Sequence, residues 1–384
     1  MFESKIVDKA LDTLNRKDIT VISELCPTVR SPKSKCRRCI EFCPADSISI
    51  KNNISINDRC VECGCCISAC PNGVFDSRNR ADSSIVLTSK KLIENDEEKI
   101  VRFACEKSIN ETTGVINLKC VGRLTENILL DLSLSGVNGI EINIKECGKC
   151  EYGEKVTYLL NQTKNLCSII LKLTGIAEER INLTDGFGKN AKEIRKKIKT
   201  GEEISRRGFF EKIKKRAFLE TKDIVADLNR DSEQKTLSIK EFKKNQNHKR
   251  AHLISLLKRF HPEKKFFNGD SFIPFAGISV NGNCIGCNVC DILCSTGAIK
   301  RISDENFIRI YFNEQKCTNC SLCYDVCLPK AIRVEQRLSL KNIIEDNGIE
   351  LVRLNKKICE GCKSEFVGEN ETLCPFCEKK KRNL

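Results

Sequence analysis

The strongest constraint on this chain is the spacing of its cysteines. Of 26 cysteines in 384 residues, eight form two successive runs, Cys284-x2-Cys287-x2-Cys290-x3-Cys294 and Cys317-x2-Cys320-x2-Cys323-x3-Cys327. A third run, Cys60-x2-Cys63-x2-Cys66-x3-Cys70-Pro71, has the same form near the N-terminus. A fourth, Cys36-x2-Cys39-x3-Cys43-Pro44, lacks its first cysteine and carries Lys33 in that place. This is the ligand spacing of [4Fe–4S] clusters, so the sequence points to four such clusters arranged in two pairs.

Composition agrees with small, cluster-stapled modules rather than one large core. Aromatic residues make up only 6% of the chain, and a chain of this length has room for several domains. So many cysteines in a secreted protein would imply disulfides, but the opening MFESKIVDKALDTLNRK has no apolar stretch of the kind that heads a signal peptide. A reducing, cytoplasmic setting is expected. No apolar run approaches the ~18–20 residues that a membrane-spanning helix needs, so no membrane insertion is expected. The formal net charge of +14 counts every cysteine as neutral. Six four-thiolate centres would contribute about −12 and leave the molecule near neutrality.

The paired runs resemble those of two-cluster bacterial ferredoxins, in which the fourth cysteine of each run serves the other run's cluster. The resemblance implies one C-terminal cluster on Cys284, Cys287, Cys290 and Cys327 and its neighbour on Cys317, Cys320, Cys323 and Cys294. At the N-terminus it implies one on Cys60, Cys63, Cys66 and Cys43, leaving Cys36, Cys39 and Cys70 for the other. Cys26 is the candidate fourth ligand of that set; the alternative is a three-cysteine site with Cys26 merely buried. Cys65 and Cys167 read as small apolar core residues. Alternation of Ile48, Ile50, Ile54 and Ile56 about Lys51-Asn52-Asn53 predicts a β-hairpin between the first two runs. Ile299, Ile302, Ile308, Ile310 and Phe312 about a polar turn predict its counterpart.

Between the modules the pattern becomes α/β. Strands are predicted at 100–104, 115–118 and 140–144, with helices at 125–134 and 154–173. Cys105, Cys120, Cys147 and Cys150 then fall at the C-terminal ends of successive strands, where open α/β sheets bind ligands. The strings Phe103-Ala104-Cys105, Lys119-Cys120-Val121-Gly122-Arg123, Val137-Asn138-Gly139-Ile140 and Cys147-Gly148-Lys149-Cys150-Glu151-Tyr152 resemble the delta (iron–sulfur) subunit of methyl-viologen-reducing hydrogenase. The resemblance implies one [2Fe–2S] centre on those four cysteines. The family often has another cysteine where this chain has Ser108.

The tail ends in Cys359-x2-Cys362-x11-Cys374-Pro375-x-Cys377, which resembles a zinc ribbon and suits one Zn2+; a rubredoxin-type iron site shares its geometry. Residues 206–265 hold 18 lysines and arginines against 8 acids, together with all three histidines, and read as a basic helical connector. The string Ser205-Arg206-Arg207-Gly208-Phe209-Phe210 resembles an export motif, but it is internal and no apolar segment follows.

These readings divide the chain into an N-terminal helix (1–25), a dicluster ferredoxin module (26–90), the hydrogenase-delta-like α/β domain (97–200), the connector (201–270), a second ferredoxin module (271–340) and the zinc-ribbon-like tail (341–384). The fold class is an α+β multidomain chain. No phosphate loop, dinucleotide fingerprint or catalytic triad motif occurs, so no catalytic activity is expected of the chain alone. The expected function is an electron-transfer subunit serving a flavin-, molybdenum- or nickel-containing oxidoreductase in a hydrogenase- or heterodisulfide-reductase-like complex. In it the central domain would stand between the two ferredoxin modules. The rival is a redox- or oxygen-responsive regulatory iron–sulfur protein that grips nucleic acid through the basic connector and zinc ribbon. Basic connectors are usually solvated helices, and this one lacks interleaved aromatics, which counts against nucleic acid.

Overall fold

The structure, a computed structural model, describes residues 18–78, 81–108, 114–176, 178–187, 247–259, 266–268, 273–335, 337–346 and 348–382. The chain divides into two units, and the second, residues 188–243, lies outside the described residues, as do the export-like string and His261.

In the first unit, β1 (Ile19–Val21) pairs antiparallel with β4 (Phe75–Ser77), closing the N-terminal module across its full length. Between them come α1 (Pro27–Arg30), α2 (Arg38–Glu41), the hairpin of β2 (Ile48–Ile50) and β3 (Ile54–Ile56), and α3 (Cys65–Ala69). The hairpin falls where isoleucine alternation places it. Residues 18–25 differ from expectation, because they form β1 and a 3-10 turn rather than the end of a helix. Ile19 and Leu25 bury their side chains in the module's core, and a three-residue strand is too short to show its period in sequence.

Helix α4 (Asp82–Leu92) leads into the central domain and belongs to it. Its Asp82 carboxylate accepts from the Thr125 hydroxyl at 2.6 Å and pairs with Arg123 at 2.7 Å. The domain is a four-stranded parallel sheet in the order β6 (Val115–Leu118), β5 (Ile100–Cys105), β7 (Gly139–Asn143), β8 (Ile181–Thr184). Helices α5 (Glu126–Leu134) and α6 (Gly153–Thr174) connect the later strands, matching the predicted helices within a residue or two. Thr125 caps α5 by accepting from the Ile128 N–H, and Gly175 ends α6 in the left-handed conformation.

The next described helix, α7 (His248–Leu257), starts where the Asn247 side chain accepts from the Arg250 N–H at 3.0 Å. It was expected to be part of a solvated connector. Instead Leu253, Ile254, Leu256 and Leu257 lie in the same core as the central domain's Leu129 and Leu132, and as Ile273, Phe275, Leu338 and Ile343. Burial of each such side chain favours folding by roughly 1.5–3 kcal/mol, which outweighs the cost of bringing a lysine and an arginine inside with it once those are hydrogen-bonded.

Strand β9 (Phe266–Asn268) pairs antiparallel with β14 (Arg337–Ser339), which leads into α10 (Leu340–Ile344). The C-terminal module repeats the plan of the first. β10 (Gly277–Val280) pairs antiparallel with β13 (Ile332–Glu335), enclosing α8 (Val289–Leu293), the hairpin of β11 (Ile299–Ser303) and β12 (Phe307–Phe312), and α9 (Leu322–Val326). The tail is not a separate knuckle. Its long strand β15 (Ile349–Ile358) pairs with β12 and then with β16 (Glu365–Val367), so the hairpin becomes a four-stranded sheet.

The two cysteine-rich modules touch directly, which the order of domains along the chain does not suggest. Arg30 donates through Nε to the Leu293 carbonyl at 3.0 Å and through Nη2 to the Ile292 carbonyl at 2.9 Å. The Lys35 N–H donates to the Asp325 carboxylate at 3.2 Å, and the buried Thr318 hydroxyl donates to the Asn72 side chain. The central domain therefore packs beside the N-terminal module instead of separating the two. No described helix is long and apolar enough to cross a membrane.

Candidate iron–sulfur and metal centres

Each complete run places two cysteines on the loop before a short helix and the third within that helix, at Cys66, Cys290 and Cys323, and the fourth follows the helix. Cys284, Cys287, Cys290 and Cys327 line one cavity, walled by Ile278, Val280, Ile299 and Ile310. Cys43, Cys60, Cys63 and Cys66 line another, walled by Ile19, Ile48 and Ile56. Burial pushes Cys323 well up, and the thiols of Cys317, Cys320 and Cys294 add to the shift, as does Cys290 of the neighbouring set. Backbone N–H groups point at the sulfurs: Ser47 to Cys43 at 3.3 Å, Ala298 to Cys294 at 3.2 Å and Ala331 to Cys327 at 3.3 Å. Buried thiols with amide donors suit a polynuclear cluster, because the N–H dipoles offset the negative charge of ligated thiolate.

Near the incomplete run, Cys26 shares the buried core of the module with Cys39 and Cys70. Cys26 begins α1, with Pro27 at the first helical position, and the chain folds back through the Thr28 hydroxyl, which donates to the Cys36 carbonyl at 2.8 Å. Cys39 is raised by burial and by the nearby thiols of Cys70, Cys26 and Cys36; Cys36 is raised by burial and by Cys26. Lys33 is exposed. The four thiols thus gather as the remaining N-terminal set.

This set faces the C-terminal module. Burial raises Cys320, and among the charges that add to the shift is Cys36 across the seam. The inner sets of the two modules, Cys26/36/39/70 and Cys317/320/323/294, are neighbours. The outer set of the N-terminal module faces the central domain.

There the buried Cys65 thiol lies within hydrogen-bonding reach of both Cys63 and Cys120, which raises Cys65 and lowers Cys63 to about 7. The apolar role expected of Cys65 omits this bridging position. Gly122 makes the approach possible, since a Cβ there would lie 2.5 Å from the Cys65 sulfur. Cys105 ends β5, Cys120 follows β6, Cys147 lies within the 3-10 turn Lys145–Lys149 after β7, and Cys150 follows that turn. Burial and the thiols of Cys120 and Cys105 push Cys147 up to about 11, so the four cysteines share one edge of the sheet. Ser108 is buried beside Cys105, with its hydroxyl 3.4 Å from the sulfur. The Lys107 ammonium donates to Cys150 Sγ at 3.5 Å. Gly153 starts α6 so close to the turn that a Cβ would meet the Cys147 carbonyl oxygen at 1.8 Å.

In the tail, the sulfurs of Cys359, Cys362, Cys374 and Cys377 all lie within 4.8 Å of one another. The Cys362 and Cys374 sulfurs are 3.7 Å apart, close to the ~3.8 Å edge of a tetrahedral zinc–tetrathiolate site. The Cys374 N–H donates to Cys359 Sγ at 3.2 Å and holds that thiol down at about 6. Among the described residues this is the group of thiols close enough to share a single ion; the wider upstream sets suit clusters. Cys167 is fully buried in the core, as expected. His248 is exposed, while His252 lies 3.5 Å from the Asp131 carboxylate.

Comparison with known proteins agrees with this division. Residues 95–206 match the family described as methyl-viologen-reducing hydrogenase, delta subunit, and residues 283–332 match the 4Fe–4S dicluster domain. The chain is thus an iron–sulfur protein with a hydrogenase-delta-like domain. An uncharacterized ferredoxin of Methanocaldococcus jannaschii is 48% identical over 44 residues, 11% of this chain and 29% of that protein, so the chain covers under a third of this relative's length.

Proposed function

We propose that this chain is an electron-transfer subunit that relays single electrons between a ferredoxin-type partner and a catalytic oxidoreductase of hydrogenase-like complexes. The carrying observation is the seam between the two cysteine-rich modules, where Arg30 bonds the Leu293 and Ile292 carbonyls, the Lys35 N–H bonds Asp325 and Thr318 bonds Asn72. It makes the thiol sets a continuous series: outer C-terminal, inner C-terminal, inner N-terminal, outer N-terminal, and then the central set through Cys63, Cys65 and Cys120.

Four [4Fe–4S] clusters and one [2Fe–2S] centre held on these sets supply one-electron storage. The chain's own contribution is order, burial and donors. Its N–H groups compensate sulfur charge, its apolar walls exclude water, and its seams keep neighbouring sets in contact. The four tail thiols hold one Zn2+ that pins the end of β15.

The two termini of the series differ. At one, Cys287 is exposed among the exposed apolar residues Ile285, Val289 and Leu328. At the other stands the central domain, whose likeness to the hydrogenase delta subunit supports a hydrogenase-like catalytic partner; two-electron chemistry there calls for flavin, molybdenum or nickel. Anaerobically purified protein is expected to contain about 18 Fe and one Zn per chain and to take up about five electrons in a reductive titration. Iron near 8 and uptake near two electrons would reduce the chain to one dicluster module with inert appendages.

A further inference from the structure

Adjacent residues of α7 reach in opposite directions. The Lys249 ammonium donates to the carbonyls of Ile67 at 2.9 Å, Ser68 at 2.8 Å and Cys70 at 3.2 Å, and pairs with Glu126 at 3.2 Å. It therefore sits on the carbonyl end of α3, on the backbone that delivers Cys70 to the inner N-terminal set. Asn247 adds a bond from its side-chain amide to the Pro71 carbonyl at 3.1 Å.

Arg250 turns the other way. Its guanidinium donates to the carbonyls of Gln315, Glu314 and Pro274 and lies 4.0 Å above the Phe275 ring. The 314–315 backbone leads directly into Cys317 of the inner C-terminal set. Arg250 is buried, at 5% exposed, and Lys249 is part-buried, with its side chain 9% exposed. One helical turn thus brings a positive charge to each of the two thiol sets that meet at the seam.

We propose that Lys249 and Arg250 are positioning residues for this seam: they hold the inner sets of the two modules against each other, and their charges raise the reduction potentials of the clusters held there above those of the outer sets. The proposal rests on the electron-transfer reading. Reduction adds a negative charge to a cluster, and a cation fixed nearby in a poorly screened interior favours that form. The carbonyls around each cation replace its water without neutralising it. Glu126 faces Lys249 and also lowers the potential felt at Arg250, so it opposes the effect. Lys249 correspondingly favours the thiolate of Cys70, and Arg250 that of Cys317, although burial dominates both thiols.

The test uses the full chain with its clusters, titrated with reductant while each paramagnetic signal is followed, with iron content measured first. Lys249→Gln is expected to keep its iron and lower the potential of the inner N-terminal cluster. Arg250→Gln is expected to lower that of the inner C-terminal cluster, while Lys249→Arg and Arg250→Lys stay near the parent. Glu126→Gln, which removes the opposing charge, is expected to raise the inner potentials. If Lys249→Gln loses iron instead, Glu126→Gln decides: an upward shift supports the charge effect, and an unshifted potential overturns it. Unshifted potentials in iron-replete Lys249→Gln and Arg250→Gln would also overturn it and leave the two residues as scaffolding. Iron far below about 18 in the parent protein would instead remove the electron-transfer reading on which the proposal rests.

Discussion

At the scale of single residues, Cys26 carries the most specific expectation. It lies ten positions before Cys36, outside any regular run, yet α1 and the Thr28 bond return it to Cys36, Cys39 and Cys70. Changing Cys26 to Ser is expected to lower the iron content by one to four atoms through conversion or loss of one cluster, with the C-terminal module's signals unchanged. Parent-level iron and spectra in that variant would make Cys26 a bystander. The place of Cys26 beside Cys39 and Cys70 was legible in the sequence, because the run at Cys36 lacks one cysteine and Cys26 is the nearest one before it. Lys249 and Arg250 were not, because a charged run reads as a solvated face. The carbonyls they bind belong to residues about 180 positions upstream of Lys249 and 24 to 65 positions downstream of Arg250. Cys65 was recognised as buried, but its place between Cys63 and Cys120 depends on a seam that no local pattern encodes.

Among elements, those with a strong local period were read correctly. The isoleucine hairpins, the first three parallel strands and helices α5 and α6 all lie within a residue or two of their expected positions. The misses are strands defined by a distant partner. β1 has three residues and pairs 56 positions away, and β8 completes the sheet after a helix whose sequence gives no strand signal. The tail's β15 belongs to the same class, since its pairing with β12 turns an expected knuckle into part of the module's sheet. Removing Zn2+ with a chelator is therefore expected to have a graded effect. Amide exchange should accelerate at β16 and at α11 (Pro375–Arg382), whose support is the thiol cluster. Residues 349–355, backed by β12, should keep their protection. Uniform loss of protection along β15 would show that the metal, rather than the strand pairing, holds the tail in place.

For the whole molecule, the sequence conveyed which modules are present and not how they meet. Domain order along the chain suggested a wire in which the central domain joins two ferredoxin modules. The structure instead joins those modules through Arg30, Lys35, Asn72 and Thr318 and leaves the central domain at the end of the series. These two arrangements predict different outcomes for one variant. Replacing Cys147 and Cys150 together by Ser is expected to remove the two-iron signal of the central domain and to block electron delivery to a catalytic partner docked there. Rapid mixing with a ferredoxin-type donor should nevertheless reduce all four cubane clusters as in the parent, because the path across Cys320 and Cys36 does not pass through the altered site. If the double variant instead isolates the two modules, so that a donor reduces one pair promptly and the other only slowly, the seam between them is not the electron path. The central domain would then be the bridge that the order of the sequence implied.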